Sequence, residues 1–264
     1  MKLFFRKYGD GPPLVILHGL FGSSDNWVTI AKKLSTQFTV ILPDQRNHGN
    51  SPHSPVHDYD AMRNDLHELV TDLQIEKFFL AGHSMGGKTA IAFALKWPEM
   101  LNGLLVADIS PFRGDNNEQS EYNQHRSILN AMLSMDLSII GSRSQAEEDL
   151  EKRGLPEYVM GFVLKNLQRD SNGFSWKLNA RALLDNLGNI IKPLDRNDAL
   201  SYQVTGFPVI FLRGEKSNYL PASDFPDIQK IFPAAEFITI KNAGHWVHSD
   251  NPEDVISSIR KLVL

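Results

Sequence analysis

Ser84 stands in Gly82-His83-Ser84-Met85-Gly86, with glycine two places before it and two places after it. The apolar run from Phe78 to Ala81 leads in, and a long apolar segment from Met85 to Trp97 follows. A strand, a tight turn and a helix with serine at the turn form the G-x-S-x-G nucleophile elbow. Acyl transfer is the chemistry this arrangement suits. The turn lifts the hydroxyl above the sheet, and a Cβ at position 82 or 86 would collide with neighbouring backbone, so both positions want glycine. The helix that starts here aims its free N–H groups at the place where negative charge develops.

A serine hydroxyl is a poor nucleophile until a neighbouring base takes its proton, and imidazole is poised for that near neutral pH. The chain offers nine histidines. His18, His48 and His83 lie in Gly-containing turns, where fixing a loop by hydrogen bonding is the simpler role. His53, His57, His67 and His125 lie in polar segments and are expected to be solvated. His245 follows the last apolar strand directly, which matches the chain order serine, acid, histidine of this architecture. His248, three residues on, suits packing or substrate contact, and with no third ligand in view a metal site at His245 and His248 is not expected.

The acid that orients the imidazole can come from two strand ends. Asp108 ends the strand Leu104 to Ala107. Glu215 lies after the strand Pro208 to Leu212, where Ser217 stands at about the place an aspartate is usual. Asp108 is preferred because a carboxylate at the end of a buried strand needs partners, and Glu215 stays as the alternative. Two backbone donors are also needed where the oxyanion forms. Met85, next after the serine, and Leu20, in the Gly-rich loop His18 to Ser24, supply them, with Phe21 as the alternative to Leu20. Phe21, His83 and Trp246, adjacent to these groups, are the candidates for lining a substrate pocket. The charged loop with Asp44, Arg46 and His48 reads as a structural network rather than a carboxylate-binding site.

These residues need a frame that brings strand ends together. Continuous apolar runs at 14–17, 38–42, 78–82, 104–107, 208–212 and 235–240 read as strands covered on both faces, and residues 2–8 as an edge strand. Helices are expected between them, at about 26–34, 60–73, 85–97, 224–232 and from Pro252 onward. Such alternation gives a mostly parallel, doubly wound α/β sheet. From about 111 to 200 the pattern changes to helical segments at roughly 116–133, 144–153, 156–167 and 179–190, with a short extended piece near Phe174 to Leu178. The reading is one core, residues 1–111 and 201–264, with a helical cap or lid, residues 112–200, inserted into it.

With 264 residues and 42% hydrophobic content, the chain can bury a large core. A formal charge of −4 without any basic stripe argues against nucleic acid as a partner. The absence of cysteine excludes disulfides and thiolate chemistry. No apolar run is long enough to span a bilayer and no leader pattern is present, so the cytoplasm is the expected location.

Taken together, the motifs resemble the α/β-hydrolase superfamily. More narrowly, the stretches beginning at His18, Asp44, Gly82, Asp108 and Gly244 resemble the YbfF-type bacterial esterases, a group with a mitochondrial animal branch. That resemblance implies a carboxylesterase whose activity extends to acyl-CoA thioesters. It also implies a helical cap inserted after the sixth strand and an acid at that strand's end, which favours Asp108. Gln45 departs from the group's pattern, which has an apolar residue such as Leu or Met. The expectation is therefore a serine hydrolase with Ser84, Asp108 and His245 as its triad, acting without cofactor or metal on a small-molecule acyl ester or thioester. Its rivals are an amide or carbon–carbon bond hydrolase or lyase on the same triad, and a non-catalytic binding protein on a hydrolase frame. The sequence carries no signal for oligomeric state.

Overall fold

The computed structural model describes residues 1–112, 118–171 and 173–263. The chain begins with β1 (Phe5–Tyr8), β2 (Pro13–Leu17), α1 (Val28–Leu34), β3 (Thr39–Pro43), α2 (Tyr59–Asp72), β4 (Phe78–His83), α3 (Met85–Lys96) and β5 (Leu101–Ala107). An insert follows: α4 (Glu118–Ser134), α5 (Arg143–Lys152), α6 (Glu157–Val163), β6 (Leu167–Asp170), β7 (Gly173–Trp176), α7 (Ala180–Asp185), α8 (Leu187–Ile191) and α9 (Arg196–Ala199). The chain then resumes with β8 (Val209–Gly214), α10 (Phe225–Ile231), β9 (Ala235–Ile240), α11 (Val247–Asp250) and α12 (Pro252–Arg260).

Seven strands form one sheet in the order β1-β3-β2-β4-β5-β8-β9. Only the edge strand β1 runs antiparallel to its neighbour, and the other pairs are parallel. The apolar runs are continuous because both faces are covered. Leu17, Leu80, Val106 and Phe211 face Val70 of α2 and Phe93 of α3. Their neighbours Ile16, Ala81, Leu105 and Leu212 face Ile30 of α1 and Ile259 of α12. This is the doubly wound α/β sheet that the sequence pattern predicts.

The insert follows β5, the strand that Asp108 ends and after which the resemblance places the cap. It is not wholly helical. β6 and β7 pair antiparallel, Leu167 opposite Trp176 and Asp170 opposite Gly173. The expected helix 156–167 is α-helical to Val163, continues as a 3-10 turn over Leu164–Asn166, and gives way at Leu167, which opens the hairpin. The expected helix 179–190 is split at Asn186, which is the C-cap of α7 and the N-cap of α8. The expected start of the first insert helix, at 116, lies outside the described residues. The insert has its own apolar core, in which Leu129, Val163, Leu183 and Leu187 meet Phe21 and Met85 from the sheet side. Among the described residues no helix is long and apolar enough to cross a membrane.

The loop after β3 is a polar scaffold. Asp44 accepts the Ser24 and Asn50 backbone N–H groups at 2.6 and 2.8 Å. Arg46 donates twice to Asp65, at 2.6 and 2.9 Å, with both groups buried. The Asn179 backbone N–H and side-chain amide both donate to Asn47, which ties the insert to this loop. Breaking a buried ion pair strands one charge, whereas removing both partners does not. Asp65→Asn should therefore lower unfolding stability by about 3–5 kcal/mol. The Arg46→Met/Asp65→Leu double variant should recover most of that in denaturant titration. Equal loss in both proteins would contradict this account of the loop.

Candidate active site

Ser84 takes φ 53° and ψ −119°, a left-handed conformation that a residue with a Cβ adopts only when its surroundings impose it. The imposing contacts are backbone ones. A Cβ on Gly82 would lie 2.2 Å from the Gly86 carbonyl oxygen, and one on Gly86 would lie 2.5 Å from that of Leu17. Ser84 N–H donates to the Ala107 carbonyl at 3.0 Å, and the Ser84 carbonyl accepts Lys88 N–H at 3.0 Å, the first bond of α3. The N–H groups of Met85, Gly86 and Gly87 therefore stand outside the helical ladder, as the first donors of any helix do.

His245 reaches this serine from the loop after β9. Its Nε2 lies 2.9 Å from Ser84 Oγ, and its Nδ1 lies 2.8 Å from Asp108 Oδ2. A carboxylate only accepts, so Nδ1 carries the proton and Nε2 is free to take one from the serine. Asp108, 0% exposed, also accepts Gly214 N–H at 2.8 Å on Oδ1 and the Ser217 hydroxyl on Oδ2. Glu215 turns away, accepting Asn242 N–H at 2.8 Å. Ser217, the residue at the place where the sequence reading looks for an aspartate, thus serves as a donor to Asp108. Tyr219 stacks on His245, with ring centroids 3.7 Å apart and planes 21° apart. Neither Ser217 nor Tyr219 was read as part of the site from sequence, since a polar loop gives no sign of where its side chains point.

Leu20 and Phe21 lie in a turn closed by Gly22 N–H donating to the Gly19 carbonyl at 3.0 Å. Beneath it the buried His18 donates from Nδ1 to the Gly19 carbonyl at 2.8 Å and accepts Gln45 N–H on Nε2 at 2.9 Å. The Gln45 amide donates to the His18 carbonyl at 2.7 Å and accepts the Thr89 hydroxyl at 3.0 Å. The residue that departs from the family pattern is thereby fully used in bracing this loop against α3.

The remaining histidines are mostly structural. His83 donates from Nε2 to the His245 carbonyl at 2.8 Å, fixing the loop that carries His245. His248 stacks on Trp27 at 4.6 Å and meets the His83 ring edge-on at 4.7 Å. His57 is not solvated, contrary to the sequence expectation. It is fully buried, accepts an Asn47 N–H at 3.3 Å and lies 3.5 Å from Met85 Sδ. His67 stacks on Trp97 at 4.2 Å, and His125 is half-buried beside Phe21. Burial pushes His83 well below the usual imidazole range and takes His248 to about 3. Neither opposes a positive charge forming on the His245 ring. Among the described residues no group of three or more His, Asp or Glu side chains is placed to hold a metal ion.

A cavity of about 220 Å³ opens at the serine. Leu20, Phe21, His83, Ser84, His245 and Trp246 line its floor. The insert roofs it with Ile128, Val159, Phe162 and Val163, and Phe162 stacks on Trp246 at 4.5 Å. The roof residues recur at helical spacing in the sequence, but that spacing does not separate a pocket wall from helix-packing residues. A second, more polar depression adjoins it across Tyr219 and His245, with Glu121, Gln124 and Lys216 on its walls.

A family model described as the alpha/beta hydrolase fold matches residues 12–127. The chain is 39% identical over 261 residues to a Danio rerio protein named sn-1-specific diacylglycerol lipase ABHD11, covering 97% of this chain and 79% of that one. It is 32% identical over 252 residues to Esterase YbfF of Escherichia coli, covering 96% and 93% respectively. A solved structure titled "Marine microorganism esterase" superposes with a TM-score of 0.91 at 39% identity over 99% of both chains. With an elbow serine, an imidazole and a buried carboxylate on one doubly wound sheet, and with relatives this similar along nearly its whole length, the chain belongs to the α/β-hydrolase family.

Proposed function

We propose that this protein hydrolyses carboxylic esters through an acyl-enzyme on Ser84, with residues 112–200 serving as the lid over the acyl site. The observation that carries the proposal is the continuous hydrogen-bonded line from Ser84 Oγ through His245 to Asp108 at the mouth of an apolar cavity. Relatives named as an esterase and as a diacylglycerol lipase support the same reading. Ser84 attacks the ester carbonyl while His245 takes its proton. Asp108 holds the tautomer and stabilises the imidazolium. The Leu20 and Met85 N–H groups receive the oxyanion. His245 then protonates the departing alkoxide, and a water deprotonated by His245 cleaves the acyl-enzyme.

The acyl chain occupies the apolar cavity, and the leaving group lies over the polar depression beside His245, the group that protonates it. Acyl thioesters enter the same cycle, with a thiol in place of the alcohol, and we extend the proposal to them. No observation favours the amide or carbon–carbon reading.

Ser84→Ala should abolish both ester hydrolysis and labelling by a fluorophosphonate. Asp108→Asn should lower kcat by about 10⁴-fold, the scale seen when a triad acid loses its charge. Glu215→Gln should remain near wild type, and a larger loss there than in Asp108→Asn would reassign the acid. The cavity is smaller than those that hold drug-sized ligands. In a p-nitrophenyl ester series, kcat/KM should therefore favour butyrate and hexanoate over palmitate by about tenfold, or 1.4 kcal/mol. Rising activity up to palmitate would refute the size argument.

A further inference from the structure

Tyr219 lays its ring on that of His245, with centroids 3.7 Å apart and planes 21° apart. Among the described residues, the other rings beside His245 are turned away from stacking: His83 is tilted by 43° at 4.8 Å, and Trp246 by 55° at 6.2 Å. The stack is built into the chain. Tyr219 N–H donates to Ser217 Oγ at 3.2 Å, and that hydroxyl donates in turn to Asp108 Oδ2, the oxygen that accepts His245 Nδ1–H. The Tyr219 carbonyl accepts Ser110 N–H at 2.9 Å. The backbone of Tyr219 is thus fastened at both its N–H and its carbonyl to the segment that carries Asp108, and its ring covers the imidazole that Asp108 orients.

While His245 Nε2 accepts from the Ser84 hydroxyl, the imidazole is neutral. Once it has taken the proton, from serine in acylation or from water in deacylation, the ring is a cation. The face of an aromatic ring is the negative side of its quadrupole, so it attracts a cation lying over it. Only interactions that are stronger in the transition state than in the ground state speed the chemical step. A face stacked on the imidazole meets that condition, because the charge it attracts appears during the reaction. Asp108 acts on the edge of the imidazole through Nδ1, and Tyr219 acts on its face.

We infer that Tyr219 is a positioning residue whose ring face stabilises His245 as an imidazolium during proton transfer. Tyr219 also lines both the apolar cavity and the polar depression, so contact with substrate is the competing role. This inference rests on the proposed acyl-transfer reading of Ser84 and His245.

The test replaces Tyr219 with Leu, with Phe and, by genetic incorporation, with phenylalanines carrying one, two and three ring fluorines. Acetate and hexanoate esters of p-nitrophenol are assayed at about pH 8.5, well above the ordinary imidazole range. Fluorine withdraws charge from the ring face while the ring keeps its shape, so packing is held nearly constant as the attraction for a cation is graded down. Tyr219→Phe should stay within about threefold of wild type, and successive fluorines should lower kcat and kcat/KM together, to about tenfold at three, with KM within about twofold. Tyr219→Leu, which removes the face, should lose about tenfold or more. Both esters should show the same trend, since the ring acts on His245 and not on the acyl chain. Rates that do not vary along the fluorinated series, or that vary with one ester only, would overturn the inference, and that series decides it even if Tyr219→Leu fails to fold. Ester hydrolysis that survives Ser84→Ala would instead overturn the acyl-enzyme reading beneath it.

Discussion

The site depends on one buried carboxylate. Asp108 has no access to water, and an isolated charge there would be prohibitively costly. Three donors satisfy it: Gly214 N–H at the end of β8, the Ser217 hydroxyl in the loop after β8, and His245 Nδ1–H in the loop after β9. Those donors come from the two strands that follow β5 in the sheet order. The carboxylate therefore fastens three neighbouring strand ends and at the same time fixes the imidazole that faces Ser84. A long insertion between β5 and β8 leaves this arrangement untouched, because the strands remain adjacent in the sheet wherever the intervening chain goes.

Strain is concentrated at the same edge. Phe21, Ser84 and Asp108 are non-glycine residues at φ 63°, 53° and 50°, following β2, β4 and β5. Each such residue costs on the order of 1–3 kcal/mol and persists only where its surroundings over-determine it. For Ser84 the surroundings are two glycines whose missing side chains let the Leu17, Gly82 and Gly86 backbones meet. For Asp108 they are its three donors and the bond from its own N–H to Leu212 at 2.8 Å. For Phe21 they lie in the insert. Ser84 and Asp108 are held by the sheet itself, whereas the first Gly-rich loop relies on a layer added above it.

The sequence revealed most where one physical requirement dominates a stretch. Strands buried on both faces read as uninterrupted apolar runs, and the elbow glycines follow from backbone collisions that the structure shows. Asp108 was legible because a carboxylate ending an apolar run must find partners. The features that were missed depend on distant chain. His57 has polar neighbours in sequence but lies beneath Asn47 and Met85, which the loop after β3 and the start of α3 bring over it. The β6–β7 hairpin was hidden because Leu167 continues the apolar spacing of α6, and only pairing with Trp176 makes it a strand. Ser217 and Tyr219 occupy a loop whose composition does not show that it closes over His245.

The histidines packed around the site set the protein's relation to acid. His18, His48, His57, His83 and His248 are all held below the ordinary imidazole range, chiefly by burial, with His57 and His248 at about 3. In the unfolded chain each titrates near 6.5. Between that value and the depressed one, only the unfolded chain takes up the proton, so every such ring tilts the balance toward unfolding by about 1.4 kcal/mol per pH unit. Above pH 6.5 the penalty vanishes, since both states leave these rings neutral. Acid therefore presses on the fold itself, through proton uptake on unfolding by rings buried in the scaffold.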